Sequence, residues 1–147
     1  MCLSSWEPTQ VRLAPESTTR PPQPVASHDS VVFGRRLTAE DVRISLSSVA
    51  LYELWYGVAR SQRRQENAER LQVFLSGDID IVPFAAEDTA IAGDLRADLE
   101  AKGTPIDPYD LLIAAQALRL GATLVSANVA EFARVPGLLW QDWTRPV

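Results

Sequence analysis

From residue 42 onward the sequence alternates between strand-like and helix-like patterns, and this alternation restricts the possible folds more than any other feature. Every second residue from Val42 to Leu46 is apolar, which predicts a strand that ends at Ser47-Ser48. Apolar residues then recur at helical spacing from Val49 to Val58, and either serine is suited to cap that helix.

Further segments of both kinds follow along the chain. They are a helix carrying Ala68, Leu71, Phe74 and Leu75, a strand around Ile79, Ile81 and Phe84, a helix from about Glu87 to Lys102, a buried helix that begins at Asp107-Pro108 and ends at Gly121, and strands over residues 122–126 and 138–140. Strands that alternate with helices predict an α/β fold of three α/β/α layers with a mostly parallel sheet.

The first part of the chain has a different character. Five of the ten prolines lie within the first 24 residues, and apolar periodicity is missing there. We therefore expect an irregular, disordered arm over residues 1–37 and one folded domain over residues 38–147. The short apolar run Val31-Val32-Phe33 is the one candidate for a strand within that arm.

Composition excludes several kinds of site. The single histidine, His28, rules out a metal site built on histidines, and the single cysteine, Cys2, rules out an internal disulfide. The net charge of −5 means that the chain lacks the strongly basic composition typical of nucleic-acid-binding proteins. It does not exclude a nuclease, because a carboxylate cluster that binds cations contributes to such acidity. No apolar run is long enough to span a membrane, and we expect a cytoplasmic protein.

Because dinucleotide-binding, phosphate-binding and nucleophile-elbow motifs are absent, the candidates for chemistry are carboxylates at the ends of predicted elements. Asp110 falls in the first turn of a buried helix, where it either serves the helix terminus or holds a hard divalent cation in a cleft. Glu53 lies early in the predicted helix that begins at Val49, which has a strong apolar face. It is either solvated or converges with Asp110.

Three further groups accompany these acids. Asn128 follows the strand over residues 122–126 and is suited to a turn, a helix cap or the orientation of water, while Glu131 is a possible oxygen ligand. Arg60, Arg63 and Arg64 form part of a basic group that is either a solvated face or a contact for RNA phosphates.

Three stretches of the chain together resemble a known family. They are Leu51-Tyr-Glu-Leu-Trp-Tyr-Gly57, Gly103-Thr-Pro-Ile-Asp-Pro-Tyr-Asp110-Leu-Leu-Ile-Ala-Ala115 and Ala122-Thr-Leu-Val-Ser-Ala-Asn128-Val-Ala-Glu-Phe132. Their order and spacing over roughly 100 residues are similar to those of VapC-type PIN-domain ribonucleases. The resemblance implies a small α/β/α PIN fold and an endoribonuclease that depends on Mg²⁺ or Mn²⁺, the toxin of a type II toxin–antitoxin pair.

The resemblance also assigns roles to residues and partners. Glu53 and Asp110 match the family's second and third acids, which hold the metal, and Asn128 stands at the fourth acidic place, where Glu131 is a possible substitute. The family resemblance further implies an RNA substrate, a homodimer and a cognate antitoxin. Trp55 and Tyr56 belong either to that antitoxin surface or to the core.

The family's first acid has no counterpart in this sequence. In the family a short apolar strand near the N-terminus is central in the sheet and ends in Asp-Thr-Asn, and no such motif occurs here. We therefore expect that the first strand is missing or replaced. A shifted reading frame or a misplaced start codon upstream of codon 38 would explain this. The alternative function is a catalytically inactive PIN module that binds an antitoxin or another partner.

Overall fold

The computed structural model describes residues 32–36 and 42–142, and these form a mixed α/β domain. Its elements are β1 (Val32–Arg36), β2 (Val42–Ser47), α1 (Ser48–Arg60), α2 (Arg64–Leu75), β3 (Ile79–Val82), α3 (Ala86–Ala101), α4 (Pro108–Leu120), β4 (Thr123–Val125), α5 (Val129–Phe132) and β5 (Trp140–Gln141). The predicted α/β class is thus confirmed, and so is the predicted succession of strands and helices from residue 42 onward.

The five strands form one sheet in the order β3-β2-β1-β4-β5. Strands β2 and β3 are parallel, as are β4 and β5, while β1 is antiparallel to both of its neighbours. Four strands therefore run in one direction, as expected for a mostly parallel sheet, and β1 runs against them. The carboxyl ends of the four co-directional strands meet at one edge, where ligands bind in open α/β sheets.

Strand β1 occupies the centre of the sheet. Val32 pairs with both Leu46 and Val125, so the amino end of β1 lies beside the carboxyl ends of β2 and β4. The expectation of a replaced first strand is met by this segment, because it supplies the backbone partners that β2 and β4 need. The prediction of an irregular arm is wrong for residues 32–36, because these residues form a strand that pairs with β2 and β4. Residues 1–31 lie outside the described part, and the boundary at residue 37 stays a prediction.

Local sequence signals account for the helix ends. The Ser47 side chain accepts a hydrogen bond from the Val49 N–H at 3.1 Å, so it is Ser47 that caps α1. Asp107 caps α4 in the same way, Pro108 takes the first helical position, and Gly121 ends the helix with a φ of 58°. Helix α5 alone was not among the predicted elements, since four residues give no helical periodicity.

The core lies between the sheet and helices α1, α3 and α4. Helix α4 is buried almost all round, as predicted, with Ile113, Ala114, Ala115 and Ala117 fully inaccessible to solvent. Its Gln116 side chain is also buried and donates to the carbonyl oxygens of Val82 and Pro83 at 3.0 and 2.9 Å, which fastens α4 to the end of β3. Because α4 is buried and held to the end of β3, the residues at its amino terminus are held in place at the edge of the sheet.

Candidate active site

Asp110 lies at the amino end of α4, at the carboxyl edge of the sheet. Asp107 performs the capping role, because its side chain accepts from the Tyr109 N–H at 2.9 Å. Asp107 therefore serves the helix terminus. The Asp110 carboxylate makes its contact with a residue outside α4. It accepts a hydrogen bond from the Asn128 side-chain amide, with 2.7 Å between Nδ2 and Oδ2.

Asn128 reaches this position because of the turn that follows β4. The buried Ser126 hydroxyl accepts from the Asn128 backbone N–H at 3.0 Å, which fixes the turn. Asn128 stands at the cap position of α5, yet its side chain makes no capping hydrogen bond. Its amide nitrogen is used on Asp110 instead, so the two side chains form one half-buried polar pair across 18 residues of sequence.

Glu131 also comes to this edge, through α5. Its Oε2 accepts from the Asp107 backbone N–H at 2.7 Å, so this carboxylate binds the segment that leads into α4. The next residue, Phe132, is 1% exposed and anchors α5 in the core. The same short helix thus holds Asn128 against Asp110 and Glu131 against the start of α4. The metal-ligand role suggested for Glu131 stays a prediction.

Glu53 lies on α1, which contacts the start of α4. The Tyr52 ring on α1 lies 5.6 Å, centroid to centroid, from the Tyr109 ring on α4. The pKa of Tyr109 is raised chiefly by a hydrogen bond with the Tyr52 side chain, and to a smaller extent by the Tyr52 charge, burial and the charges of Glu53 and Asp107. The residues that precede Glu53 and Asp110 therefore contact each other, and the convergence of the two acids stays a prediction.

The three arginines that were predicted to contact RNA do not share one environment. Arg60 lies over the Tyr56 ring, 5.5 Å from its centroid, whereas Arg63 lies 3.9 Å from Glu66 on α2 with its side chain 76% exposed. Arg64 is exposed as well. Of the three, Arg60 is the one tied to the aromatic residues beside the site. Trp55 and Tyr56 are 38% and 52% exposed, so the alternative that they are core aromatics is wrong.

Sequence reasoning missed two tyrosines. The Tyr52 and Tyr109 rings contact each other across α1 and α4, with 5.6 Å between their centroids. A signal for them was present, because each directly precedes a candidate acid, in Tyr52-Glu53 and in Tyr109-Asp110. Ser126 was also missed as the residue that fixes the Asn128 turn.

The donors at this edge suit a hard cation only in part. Carboxylate and amide oxygens are the ligands that Mg²⁺ and Mn²⁺ prefer, and Mg²⁺ commonly takes only one or two carboxylates and keeps several waters. The residues 32–36 and 42–142 contain no group of three His, Cys, Asp or Glu side chains placed to hold a metal ion. The described part of the chain therefore offers fewer acids than a closed carboxylate cage would, and the metal-ligand roles of Glu53 and Asp110 stay predictions.

No helix in the described part of the chain is both long and apolar enough to cross a lipid bilayer.

Comparisons with known proteins identify relatives of this arrangement. The family model for the PIN domain matches residues 28–138. The chain is 41% identical over 117 residues to a protein named Ribonuclease VapC2 from Rickettsia felis, covering 80% of this chain and 87% of that protein. It is 34% identical over 108 residues to a protein named tRNA(fMet)-specific endonuclease VapC from Salmonella typhimurium, covering 74% of this chain and 81% of that protein.

Solved structures give the same answer. The structure of VapBC2 from Rickettsia felis bound to a DNA fragment from its promoter matches with a TM-score of 0.65 and 43% identity, over 67% of this chain and 74% of that one. The structure of DNA-bound VapBC from Salmonella typhimurium matches with a TM-score of 0.64 and 35% identity, over the same shares of the two chains. The resemblance read from the sequence is thereby confirmed.

Proposed function

Because the chain belongs to the VapC-type PIN-domain family, we propose that it is a metal-dependent endoribonuclease and the toxin of a type II toxin–antitoxin pair. The observation that carries this proposal is the Asp110–Asn128 pair at the carboxyl edge of the sheet. It unites the third and fourth acidic places of the family in one polar site. Relatives named as ribonucleases or endonucleases and solved as VapBC complexes support the activity and the antitoxin partner.

We propose a role for each side chain. Asp110 and Glu53 would hold the cation, for which we propose Mg²⁺ or Mn²⁺ because every donor is a hard oxygen atom. Asn128 would keep the Asp110 carboxylate turned toward the edge, because its side-chain amide donates to Asp110 while the Ser126 hydroxyl accepts from its backbone N–H. When bound, the cation lowers the pKa of a coordinated water and offsets the negative charge that develops on the phosphate.

The arginines assist binding rather than chemistry. Arg60, Arg63 and Arg64 contact the RNA backbone in this proposal, and such contacts make affinity fall as salt rises. For the substrate we propose a transfer RNA, as the name of the Salmonella typhimurium relative indicates for that protein. We further propose a homodimer that acts in the cytoplasm, where RNA and antitoxin meet.

A second candidate has a specific observation in its favour. Strand β1 runs antiparallel, so it brings its amino end to the site edge, and no group of three acids forms within residues 32–36 and 42–142. A PIN module that lacks such a group of acids would bind its antitoxin without cutting RNA. This candidate differs from the first in activity alone.

Purified full-length protein incubated with transfer RNA and MgCl₂ separates the two candidates. We expect cleavage that EDTA abolishes and that Asp110→Asn abolishes as well, because an amide replaces a charged ligand of nearly the same shape. Arg96→Gln on α3, which removes an exposed charge paired with Glu100, is the matched control and cleaves like the parent. Equal cleavage by the parent and Asp110→Asn would reject the proposed site, and no cleavage by the folded parent would establish the inactive module.

A further inference from the structure

The segment between α3 and α4 is held by two side chains from the region of α5. Glu131 accepts a hydrogen bond from the Asp107 backbone N–H at 2.7 Å, and Nη1 of Arg134 donates to the Pro105 carbonyl oxygen at 3.0 Å. An anionic side chain thus meets a backbone donor, and a cationic side chain meets a backbone acceptor two residues earlier. Hydrogen bonds that involve a charged group are the stronger kind. We call Glu131 and Arg134 the α5 clamp.

The clamped segment depends on such contacts for its course. Residues 104–107 belong to no helix or strand, and the prolines at 105 and 108 have no N–H to donate. The Gly103 and Thr104 N–H groups donate back to carbonyl oxygens of α3. The Asp107 N–H, directly before the first residue of α4, is instead satisfied by Glu131 across 24 residues of sequence. The α5 clamp therefore fixes the end of the segment that leads into α4.

The position of this segment bears on Asp110. Asp107 caps α4, and Asp110 lies in the first turn of the same helix. Asn128, at the cap position of α5, donates to the Asp110 carboxylate at 2.7 Å. The region of α5 thus contacts the start of α4 at both the backbone and the acid. If the segment moved away from α5, the geometry of the Asp110–Asn128 hydrogen bond would change with it.

We propose that the α5 clamp positions Asp110 for the reaction. Glu131 and Arg134 hold residues 104–107 in place, so that Asp110 keeps its contact with Asn128, and Glu131 acts through the backbone rather than as a ligand of the ion. The inference rests on the proposed ribonuclease function and deepens it, because it assigns two positioning residues to the same site.

Two observations separate this role from that of an ion ligand. The Oε2 atom of Glu131 is already engaged by the Asp107 N–H, and withdrawing it would leave a backbone donor without this acceptor, which is costly. In addition, no three His, Cys, Asp or Glu side chains among residues 32–36 and 42–142 are grouped to hold a metal ion. Glu131 therefore does not form such a group with Asp110 and Glu53.

The test compares two substitutions of Glu131. Glu131→Gln keeps an oxygen acceptor of nearly the same shape and loses the charge, whereas Glu131→Ala loses both. Glu69→Ala, which removes an exposed glutamate that accepts from Gln65 on α2, is the matched control. Two quantities are measured on the full-length protein. They are the hydrogen-exchange rate of the Asp107 backbone amide by NMR in EDTA, and the cleavage of transfer RNA over a range of MgCl₂ concentrations.

We expect the Asp107 amide to exchange at least about fivefold faster in Glu131→Ala than in the parent, the factor for one exposed hydrogen bond. In Glu131→Gln the rate should lie closer to the parent, and Arg134→Ala should accelerate the same exchange. The kcat should fall by about ten- to a hundredfold in Glu131→Ala, because a small misplacement of a reacting group has that effect, and by less than about threefold in Glu131→Gln. The MgCl₂ requirement of Glu131→Gln should match that of the parent, as should every property of Glu69→Ala.

Three outcomes would overturn the inference. They are exchange of the Asp107 amide that is equal in the parent and Glu131→Ala, cleavage by Glu131→Ala at the rate of the parent, and a Glu131→Gln variant that is as inactive as Glu131→Ala or needs at least about tenfold more MgCl₂. The last result would make Glu131 an ion ligand. A parent that never cleaves RNA, but whose Asp107 amide responds to Glu131→Ala, refutes the proposed nuclease and retains the α5 clamp. Cleavage by a parent whose Asp107 amide ignores Glu131→Ala refutes the clamp alone.

Discussion

Replacing Asn128 by aspartate tests the geometry of the site directly. In the parent, the Asn128 amide donates to Asp110 across 2.7 Å, and this half-buried hydrogen bond to a carboxylate contributes about 1.5–3 kcal/mol. Asn128→Ala loses that bond and adds no charge. Asn128→Asp loses it and also places a second carboxylate against the first.

The added repulsion can be bounded from the distance. Two unit charges about 4 Å apart repel by about 1 kcal/mol in water and about 4 kcal/mol at an effective dielectric constant near 20. Since the pair is only half buried and the side chains can turn outward, we expect about 2 kcal/mol. For a chain of this size 1 kcal/mol shifts Tm by about 2–4 °C, so Asn128→Asp should melt about 4–8 °C below Asn128→Ala.

Thermal melting in EDTA and again in MgCl₂ provides the measurement. A cation between the two carboxylates reverses their repulsion, so magnesium should raise the Tm of Asn128→Asp more than that of the parent or of Asn128→Ala. The double variant Asn128→Asp/Asp110→Asn, which carries one charge, should regain the Tm of Asn128→Ala or exceed it. Identical melting of the alanine and aspartate variants in EDTA, or a gap that magnesium leaves unchanged, would refute the reasoning.

Two further predictions concern the supports of the site. Phe132→Ala should lower the free energy of unfolding in urea by about 3–5 kcal/mol because Phe132 is fully buried, whereas Phe132→Leu should cost less than about 1.5 kcal/mol; equal, small losses would contradict the anchoring of α5. The raised pKa of Tyr109 means that the folded state holds the phenolic proton more tightly. Its contribution to stability should therefore be complete below about pH 10 and be lost above it. Tyr109→Phe should melt with less dependence on alkaline pH, and an unchanged alkaline profile would exclude the Tyr52–Tyr109 hydrogen bond.

Local signals in the sequence were sufficient to predict where the helices end and to identify each candidate acid separately. The Asp107-Pro108 start of α4 depends on backbone groups within a few residues, and the structure has the cap where the sequence indicated it. Asp110 could be singled out because it lies in the first turn of the same helix. Its contact with Asn128 could not, because the two are 18 residues apart and meet only through the packing of α4 beside β4.

The direction of β1 could not be read from the sequence at all. A short apolar run fits either direction in a sheet, since alternation and burial look alike from both ends. The contact between Tyr52 and Tyr109 escaped for a related reason, because one ring lies on α1 and the other on α4. Sequence spacing predicts contacts within an element, and contacts between elements need the fold.

The reversed course of β1 separates two demands that one strand usually meets together. Pairing requires only backbone N–H and C=O groups, so an antiparallel strand completes the sheet between β2 and β4 as well as a parallel one does. Chemistry at the carboxyl edge requires a side chain delivered by the end of a strand that points there, and β1 points away. The fold can thus be retained while an acid is lost. In the proposed site the described donors are few, so cation binding would depend strongly on each of them. Asp110 and its partner Asn128 are therefore the positions where a single substitution is most informative.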